Sequence, residues 1–384
     1  MGCRITRKIS ELGNVVGGAT PSTKNPAYWD GNIPWLSPKD LTRYHSRFIG
    51  HGARNITQDG LDSSSTTMLP TGTVLFSSRA PIGYVAIAAN PICTNQGFKS
   101  VVPNDQTDSL FLYYLLKANK NKIEGLASGT TFKEVSATTM RSLEVKVPAS
   151  LGEQRAIASV LGALDAKIES NTKINGYLLE MAKVIYRQWF VGDTAKYPTT
   201  TMKLSDIATI NAGGDKPKDV SQTIQPGFCV PIYSNGTDNE GLYGFTSVAK
   251  INEPSVTVSA RGTIGFTCLR RRPYYPIVRL ISATPKRCVT AEYLYLWLLN
   301  MSVVGVGTTQ QQLTVPMFKA YDIKVPEAKA MEQFSQTINP LFDAIDSNKE
   351  ECIKLAALRD VLLPRLMSGE IDVQKVAIGC GLLH

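Results

Sequence analysis

The sequence predicts an α+β protein made of two tandem repeats, each a mixed α/β globular domain followed by a long helix. The two long helices are expected to pair as an antiparallel coiled coil that separates the globular domains. Three observations support this fold class: 384 residues exceed one ordinary domain, motifs recur in the same order in both halves, and each half ends in a heptad pattern. The predicted globular domains are 1–150 and 196–327, the helices are 151–195 and 328–373, and a C-terminal tail is 374–384.

The repeat is visible as short motifs that keep their order and almost keep their spacing. Five matches in the same order are strong evidence for a duplicated architecture. The matches pair Lys8–Leu12 with Lys203–Ile207, Ser78–Tyr84 with Ala260–Phe266, Phe111–Leu116 with Tyr293–Leu298, Gly129–Thr131 with Gly307–Thr309, and Leu143–Pro148 with Tyr321–Pro326.

Within each copy, a stretch rich in Gly, Pro, Ser, Thr and Asn carries short β-prone runs, and the V-K-V-P tail alternates apolar and charged residues as a half-buried strand does. Proline ends this strand, and a helical stretch begins near Gly152 in the first copy and near Ala328 in the second. The β-prone runs are Thr73–Phe76, Tyr84–Ala88, Ser255–Ser259 and Gly265–Leu269.

Apolar residues at heptad spacing define a seam on each long helix, interrupted by an asparagine at the same place in both copies. Two matched seams in one chain can satisfy each other, although each helix could instead pack separately on its own domain. The predicted helix-pairing residues are Ile157, Leu161, Leu164, Ile168, Asn171, Leu178 and Ile185 in the first copy, and Phe334, Ile338, Leu341, Ile345, Asn348, Leu355 and Leu362 in the second.

Composition excludes several classes of protein. With 43% hydrophobic residues the chain can bury cores, and no apolar stretch approaches the ~20 residues that a membrane crossing needs. Seven cysteines lack zinc spacing and are expected to be buried free thiols in a reducing compartment. Nucleotide-binding, nuclease and hydrolase motifs are absent. We therefore expect a soluble cytoplasmic protein that is not an enzyme and has no metal, cofactor or membrane partner.

The net charge of +9 lies in the two globular domains. The first has 16 basic against 10 acidic side chains and the second 14 against 9, whereas the helices and the tail contribute no excess of positive charge. Positive charge attracts phosphate without regard to sequence, so two basic domains favour nucleic-acid binding only weakly.

Three motifs together resemble the specificity (S) subunit of type I restriction–modification systems, from Lys8 to about Val373. They are the S-x-R-x-x-I-G pattern around Arg79 and Arg261, the helix start Leu151–Ala158, and the ending Leu363–Ile371. The second copy departs from the family's helix start, because Met331–Phe334 keeps Glu-Gln and loses the arginine.

The resemblance implies a DNA-recognition subunit without catalysis of its own. Each globular domain would be a target-recognition domain that reads one half of a bipartite, asymmetric target in double-stranded DNA. The helices would set the unread spacer and dock two modification subunits, which use S-adenosylmethionine to methylate adenine, and restriction subunits would complete the assembly. One alternative is a duplicated, non-catalytic scaffold that binds an acidic protein or a glycan. A self-contained modification or restriction enzyme is a third hypothesis, which the missing motifs argue against.

Candidate DNA-binding residues combine cations, which contact phosphates, with side chains that can hydrogen-bond to base edges. Each surface cation could instead be merely solvated, and the recurring arginines could serve the fold. The candidates are Trp35, Ser37, Lys39, Arg43, Tyr44, Arg79, Thr130, Thr131 and Lys133 in the first domain, and Lys216, Lys218, Ser234, Asn235, Arg261, Arg270, Arg271, Arg272, Gln310, Gln311 and Gln312 in the second.

Overall fold

The computed structural model describes residues 4–42, 44, 46–79, 81–129, 133–192, 194–286, 288–301, 303 and 312–373. By their contacts the residues form two units: unit one is Met1–Thr172 with Lys349–His384, and unit two is Lys173–Asn348. Each unit therefore combines one globular region with one half of each long helix, whereas the domains predicted from the sequence kept each helix whole.

The first repeat contains ten strands and six α-helices among the described residues. They are β1 Arg4–Lys8, α1 Ile9–Leu12, β2 Gly13–Gly17, β3 Trp29–Leu36, β4 Phe48–Ile49, β5 Arg54–Ile56, α2 Gln58–Asp62, β6 Val74–Phe76, β7 Val85–Ala88, β8 Cys93–Thr94, β9 Lys99–Pro103, α3 Ser109–Ala118, α4 Lys120–Gly125, α5 Ala137–Ser142, β10 Glu144–Pro148 and α6 Leu151–Phe190.

The second repeat has nine strands and four α-helices in the part that the structure describes. They are β11 Thr199–Lys203, α7 Leu204–Ile207, β12 Ala208–Ala212, β13 Val230–Tyr233, β14 Leu242–Thr246, β15 Ser255–Val258, β16 Thr267–Arg270, β17 Tyr275–Pro276, β18 Ile281–Pro285, α8 Ala291–Asn300, α9 Val315–Lys319, β19 Asp322–Pro326 and α10 Ala328–Ser368.

The sheets of the two units have the same strand order. Unit one has the sheets β2-β9-β6-β7-β4, β5-β3-β8 and β1-β10, and unit two has β12-β18-β15-β16, β14-β13-β17 and β11-β19. Strand β4, which pairs in parallel with β7, has no counterpart among the described residues of unit two. The predicted α+β class and the duplicated layout are confirmed, and the added β4 accounts for part of the greater length of the first copy.

The V-K-V-P strands close each globular region as their alternation predicts. Strand β10 pairs antiparallel with β1, and β19 pairs antiparallel with β11. Val145 and Val147 are buried, while Glu144 and Lys146 between them face solvent. The start of each repeat is thereby hydrogen-bonded to the strand that precedes its long helix.

A short apolar helix fills the core of each unit. In α3, the residues from Phe111 to Leu116 are all buried, and the Asp108 side chain caps the helix by accepting a hydrogen bond from the Phe111 amide. In α8, Thr290 caps the helix in the same way through the Tyr293 amide. Both runs combine large apolar side chains with an N-cap residue, so their burial follows from the sequence pattern.

In unit one, the first half of α6 lies antiparallel to the second half of α10. Asn171 Nδ2 donates to Glu351 Oε2 at 2.7 Å, and Arg359 Nη1 donates to Asp165 Oδ1 at 2.6 Å. Residue numbers rise along one helix as they fall along the other, which defines the antiparallel direction. Arg359, which interrupts the apolar seam, is therefore matched by a carboxylate on the facing helix.

In unit two, the second half of α6 lies antiparallel to the first half of α10. Asn348 Nδ2 donates to Asn175 Oδ1 at 2.8 Å, and the rings of Tyr186 and Phe334 lie 6.3 Å apart. The asparagines that repeat in the sequence thus take part in hydrogen bonds between the helices of their own unit.

Burial of the seam residues is greatest where the helices also contact a globular core, so both forms of packing considered from the sequence are present. Among the predicted seam residues, those that are buried are Ile157, Leu161, Asn171, Phe334, Ile338 and Ile345. Those that are half-buried are Leu164, Ile168, Leu178, Ile185, Leu341, Asn348, Leu355 and Leu362.

Unit one joins the first strand to both long helices through Arg4. Its Nε donates to the carbonyl of Met367 at 2.8 Å and one Nη donates to the carbonyl of Leu366 at 2.6 Å. The other Nη forms an ion pair with Glu153 at 2.5 Å. A cation at the carboxyl end of α10 and an acid in the first turn of α6 both suit the helix dipoles.

The described cysteines are all free, but they are not all buried as the sequence predicted. Cys93 and Cys268 are buried in strands, whereas Cys229 and Cys288 are exposed. Within the described ranges, no cluster of three or more His, Cys, Asp or Glu side chains has the arrangement of a metal site. No helix in those ranges combines the length and apolar character that crossing a membrane would require.

Candidate nucleic-acid interface

The S-x-R-x-x-I-G pattern forms a tight turn between β6 and β7. Ser77 Oγ accepts a hydrogen bond from the Tyr84 amide and donates to the Pro81 carbonyl, both at 2.8 Å. Gly83 has φ +96°, which favours glycine, and Ile82 is buried. The serine, isoleucine and glycine of the pattern thus serve the fold, and Arg79 is the pattern residue left half-exposed.

The same turn recurs between β15 and β16. The Ser259 amide donates to the Phe266 carbonyl at 2.9 Å, and Gly265 has φ +82°. Arg261 is exposed, and its Nη2 lies 3.3 Å from Gln312 Oε1. Each unit therefore presents an arginine from a turn whose backbone is fixed by internal hydrogen bonds.

Glu134 lies directly beside the recurring arginine in unit one. Ser128 and Glu134 exchange two backbone hydrogen bonds, and Lys133 is exposed. Glu134 also contacts Arg79, at 3.5 Å between Nη1 and Oε2. The candidates Arg43, Thr130, Thr131, Gln310 and Gln311 lie outside the described residues.

Trp35 lies in strand β3, where aromatic and β-branched residues pack with Ile56 and Cys93 of the neighbouring strands β5 and β8. Trp35 is 7% exposed, its Nε1 donates to the Ala19 carbonyl, and its ring meets Trp29 edge to face at 5.1 Å. Ser37 donates from Oγ to Asp40 Oδ2 at 2.8 Å in the following turn. Both side chains therefore make contacts that support the fold.

Two further candidates in unit one have polar groups at the surface. Lys39 is exposed, and Tyr44 is 38% exposed with its hydroxyl donating to the Phe48 carbonyl. Arg54 is not among the candidates predicted from the sequence, yet its guanidinium carbon lies 3.7 Å from the Trp29 ring centroid while the residue stays exposed. No motif surrounds Arg54, and only the pairing of β3 with β5 brings it to the tryptophan.

Several candidates of unit two are engaged within the fold. Asn235 donates from Nδ2 to the Val278 carbonyl at 2.6 Å and accepts from the Ala260 amide at 2.8 Å. Ser234 Oγ donates to the Gly241 carbonyl at 3.4 Å. Asn235 thereby ties the segment before Arg261 to a neighbouring loop and holds the arginine's turn in place.

Arg270 and Arg271 also have intramolecular partners. Arg270 is 5% exposed, pairs with Glu240 at 3.2 Å, and lies over the Tyr233 ring at 3.5 Å. Arg271 forms ion pairs with Glu292, Asp343 and Asp346 at 2.7 to 2.9 Å. Arg272, Lys216 and Lys218 are exposed.

An arginine absent from the candidate set, Arg47, performs in unit one the role that Arg271 performs in unit two. It pairs with Glu169 of α6 at 3.0 Å and donates to the Gly162 carbonyl at 2.9 Å. Arg271 instead reaches Asp343 and Asp346 of α10. Each arginine thus joins the edge of the larger sheet of its unit to a long helix. The acidic residues at heptad positions of these helices were the sequence signal that could have indicated this contact.

Comparison with known families decides what this duplicated arrangement is. The family model of the type I restriction modification DNA specificity domain matches residues 5–179 and again residues 198–356. The chain belongs to this family. The two specificity-domain matches together cover most of both repeats.

The relatives of this specificity-domain protein include whole-length and partial matches. The specificity subunit of the type I restriction enzyme MjaIX of Methanocaldococcus jannaschii is 30% identical over 410 residues, covering 96% of this chain and 94% of the relative. The specificity subunit of the Escherichia coli enzyme EcoR124I/EcoR124II is 27% identical over 173 residues, 44% of this chain and 42% of the relative.

A solved structure shares the fold of this specificity-domain protein. The type I restriction-modification S subunit from M. genitalium has a TM-score of 0.59 and 18% sequence identity, with 95% of this chain and 96% of that chain covered.

Both long helices of the specificity-domain repeats expose apolar side chains at equivalent positions. On α6, Met181 is 51% and Val184 is 42% exposed; on α10, Leu358 is 48% and Val361 is 54% exposed. The pairs Met181/Leu358 and Val184/Val361 are both 177 residues apart, as are Asn171 and Asn348. Each repeat thus has a pair of exposed apolar side chains at the same positions of its long helix.

Proposed function

We propose that this protein is the specificity subunit of a type I restriction–modification complex, in which each unit reads one half of a bipartite, asymmetric DNA target. The observation that carries the proposal is the double specificity-domain match together with 30% identity to a specificity subunit over nearly the whole chain. The spacer between the half-targets would be set by the long helices. A scaffold for an acidic protein or a glycan remains the alternative, and no observation favours it.

The DNA-contacting residues are proposed to be the two recurring arginines, the other candidates with an exposed side chain, Gln312 beside Arg261, and the five candidates that lie outside the described residues. Cations can bind phosphates, and the other polar side chains can reach base edges. We propose Lys39, Arg43, Tyr44, Arg79, Thr130, Thr131 and Lys133 for unit one, and Lys216, Lys218, Arg261, Arg272, Gln310, Gln311 and Gln312 for unit two.

The remaining candidates are proposed to position these residues. Trp35 and Ser37 stabilise the strand and turn that precede Arg43 and Tyr44. Ser234 and Asn235 fix the segment beside Arg261, and Arg270 and Arg271 are held by acidic side chains. Their loss should change DNA binding through misplacement of neighbouring groups.

Two modification subunits are the proposed partners of the exposed apolar surfaces on the long helices. One would bind over Met181 and Val184 and the other over Leu358 and Val361, because the repeat makes these surfaces equivalent. Methyl transfer would then belong to the modification subunits and cleavage to restriction subunits, so this chain would be non-catalytic. Its place would be the cytoplasm, where chromosomal DNA and these partners meet.

The test is coexpression of the chain with its modification subunit, followed by mapping of methylated adenines across the host genome. We expect a single target with two specified halves and a constant spacer. A catalytically dead modification subunit controls for background methylation. Methylation without a shared sequence, or none above background in a complex that assembles, would contradict the proposal.

A further inference from the structure

The two units differ in the side chains that contact the recurring arginine. In unit one, Glu134 contacts two cations: Arg79 Nη1 lies 3.5 Å from its Oε2, and Lys99 Nζ lies 3.0 Å from its Oε1. In unit two, Arg261 contacts the neutral side chain of Gln312 at 3.3 Å. One arginine therefore has a charged partner and the other has a neutral one.

The backbone shows that Glu134 and Gln312 hold equivalent positions. Glu134 precedes Val135, whose amide donates at 3.0 Å to the carbonyl of Ser78, the residue before Arg79. The residue after Gln312, Leu313, likewise donates at 3.0 Å to the carbonyl of Ala260, the residue before Arg261. The difference between glutamate and glutamine is thus a difference at one site of a common framework.

A second difference offsets the first. The residue equivalent to Lys99 of β9 is Ile281 of β18, because β9 and β18 are each the second strand of matching sheets. Lys99 and Ile281 are also separated by 182 residues, as Arg79 and Arg261 are. The Lys–Glu ion pair of unit one is therefore replaced by an Ile–Gln pair in unit two. Arg79, Lys99 and Glu134 together carry a net charge of +1, and so do Arg261, Ile281 and Gln312.

The two cations around Glu134 are not equivalent. The Lys99 side chain is 12% exposed and makes the shorter contact, whereas Arg79 is 34% exposed and makes the longer one. Lys99 Nζ also lies 3.4 Å from Ser78 Oγ and 3.2 Å from the Gln96 carbonyl, so it is held in place. A partly exposed ion pair is weak and screened by salt, so a competing anion can take Arg79 while Lys99 still neutralises the carboxylate.

We propose that Glu134 is a positioning residue for DNA recognition. Glu134 holds Arg79 in an ion pair, and this pair breaks when a DNA phosphate binds Arg79 in place of Glu134. This inference rests on the proposed function, because it needs unit one to bind DNA. In unit two, Gln312 offers Arg261 a hydrogen bond without a competing charge. DNA binding by unit one therefore includes the cost of separating an ion pair, whereas in the described part of unit two the partner of Arg261 is neutral.

The test is a double-mutant cycle on the full chain in complex with its modification subunits. The affinity for a duplex carrying the mapped target is measured for the wild type, E134Q, R79A and R79A/E134Q. We expect E134Q to tighten binding about threefold at low salt when Arg79 is present, and to have little effect in the R79A background. The tightening should shrink as salt rises, because the ion pair that it removes is screened.

The reciprocal variant in unit two is the matched control. Q312E should weaken binding by a similar factor, and this loss should vanish in the R261A background. Q312E also keeps the proposal testable if E134Q unfolds, which thermal unfolding of each variant would reveal. Tightening by E134Q that persists in the R79A background would overturn the proposal, because a general charge effect would then explain it. No change on either substitution would overturn it as well.

Failure of the proposed function has a different outcome. A wild-type complex that binds scrambled and target duplexes equally would contradict sequence-specific recognition, and the cycle on either duplex would still report competition for Arg79. A complex that binds no duplex would overturn both.

Discussion

Arg270, Arg271 and Arg272 are consecutive in the chain and have different surroundings. Arg270 is buried against Glu240 and Tyr233, and Arg271 pairs with three carboxylates. Arg272 is exposed. The first two are therefore suited to hold unit two together.

Replacing Arg270 with Ala should destabilise unit two by about 2 kcal/mol. The change leaves Thr257 and the Glu240 backbone without their donor, although Glu240 is partly exposed and its charge is partly solvated. Lys218→Ala, which removes an exposed cation of unit two, is the control and should change stability by less than about 0.5 kcal/mol. Urea unfolding of both variants measures the difference, and equal stabilities would contradict the assignment.

Arg79→Ala should weaken binding only at the half-target read by unit one, and Arg261→Ala only at the other half. If each contacts a phosphate, the slope of log affinity against log salt should fall by about 1. Arg7→Ala, which removes an exposed cation paired with Glu11, is the control. Footprinting of both half-targets over a range of salt concentrations provides the measurement. Loss of folded protein would instead assign the arginines to the fold.

Cys93 should react slowly with thiol reagents, because burial raises the pKa of its thiol to about 11. The thiolate is the reactive form, so little of it is present at pH 7 or 8. The exposed Cys229 and Cys288 serve as internal comparisons. Iodoacetamide labelling followed by peptide mass spectrometry should show both modified well before Cys93, and early labelling of Cys93 would contradict its burial.

The recurring motifs allowed the two arginine turns to be found from the sequence, because a turn with fixed backbone hydrogen bonds needs the same serine and glycine in both copies. What the sequence did not reveal is where long side chains find partners. Trp35 and Arg270 look like surface groups in a polar stretch, and only the strand pairing and the position of Glu240 show that they are buried. Arg54 was missed for the same reason, since its tryptophan lies on another strand.

At the level of elements, the long helices were the most predictable feature and their contacts were the least. Heptad spacing and the proline before each helix gave starts and ends within a few residues of Leu151–Phe190 and Ala328–Ser368. Near the middle of α6, the side chains of Asp165, Asn171 and Asn175 make hydrogen bonds to α10. A periodic pattern identifies a face, but not the partner that each polar group on it will find.

Arg359→Met should destabilise unit one by about 3 kcal/mol. It leaves the buried Asp165 carboxylate with the Tyr114 hydroxyl, at 2.6 Å, as its remaining partner among these contacts. The double variant Asp165→Leu/Arg359→Met should recover most of this loss, because replacing both charges removes the uncompensated one. Chemical denaturation of both variants tests the expectation. A double variant less stable than Arg359→Met would show that the pair contributes net stability.

At the scale of the whole molecule, duplication predicts two docking events of equal kind. Met181→Glu and Leu358→Glu should each reduce the complex from two modification subunits to one, because each places a charge in an apolar contact. Mass measurement of the purified complexes gives the stoichiometry. Ser159→Glu, at an exposed polar position of α6, is the control and should leave two subunits bound. Retention of two subunits by both glutamate variants would exclude these surfaces.

Unit one is assembled from two stretches of chain that are far apart in sequence, while unit two is one continuous stretch. The core of unit one includes Leu366 and Met367, whose carbonyls Arg4 binds. During synthesis at about 5–20 residues per second, the ribosome must make all of unit two before those residues emerge. We therefore expect unit two to finish folding first. Part of the apolar core of unit one would stay uncovered for roughly ten seconds or longer, although its first stretch of chain is synthesised earlier.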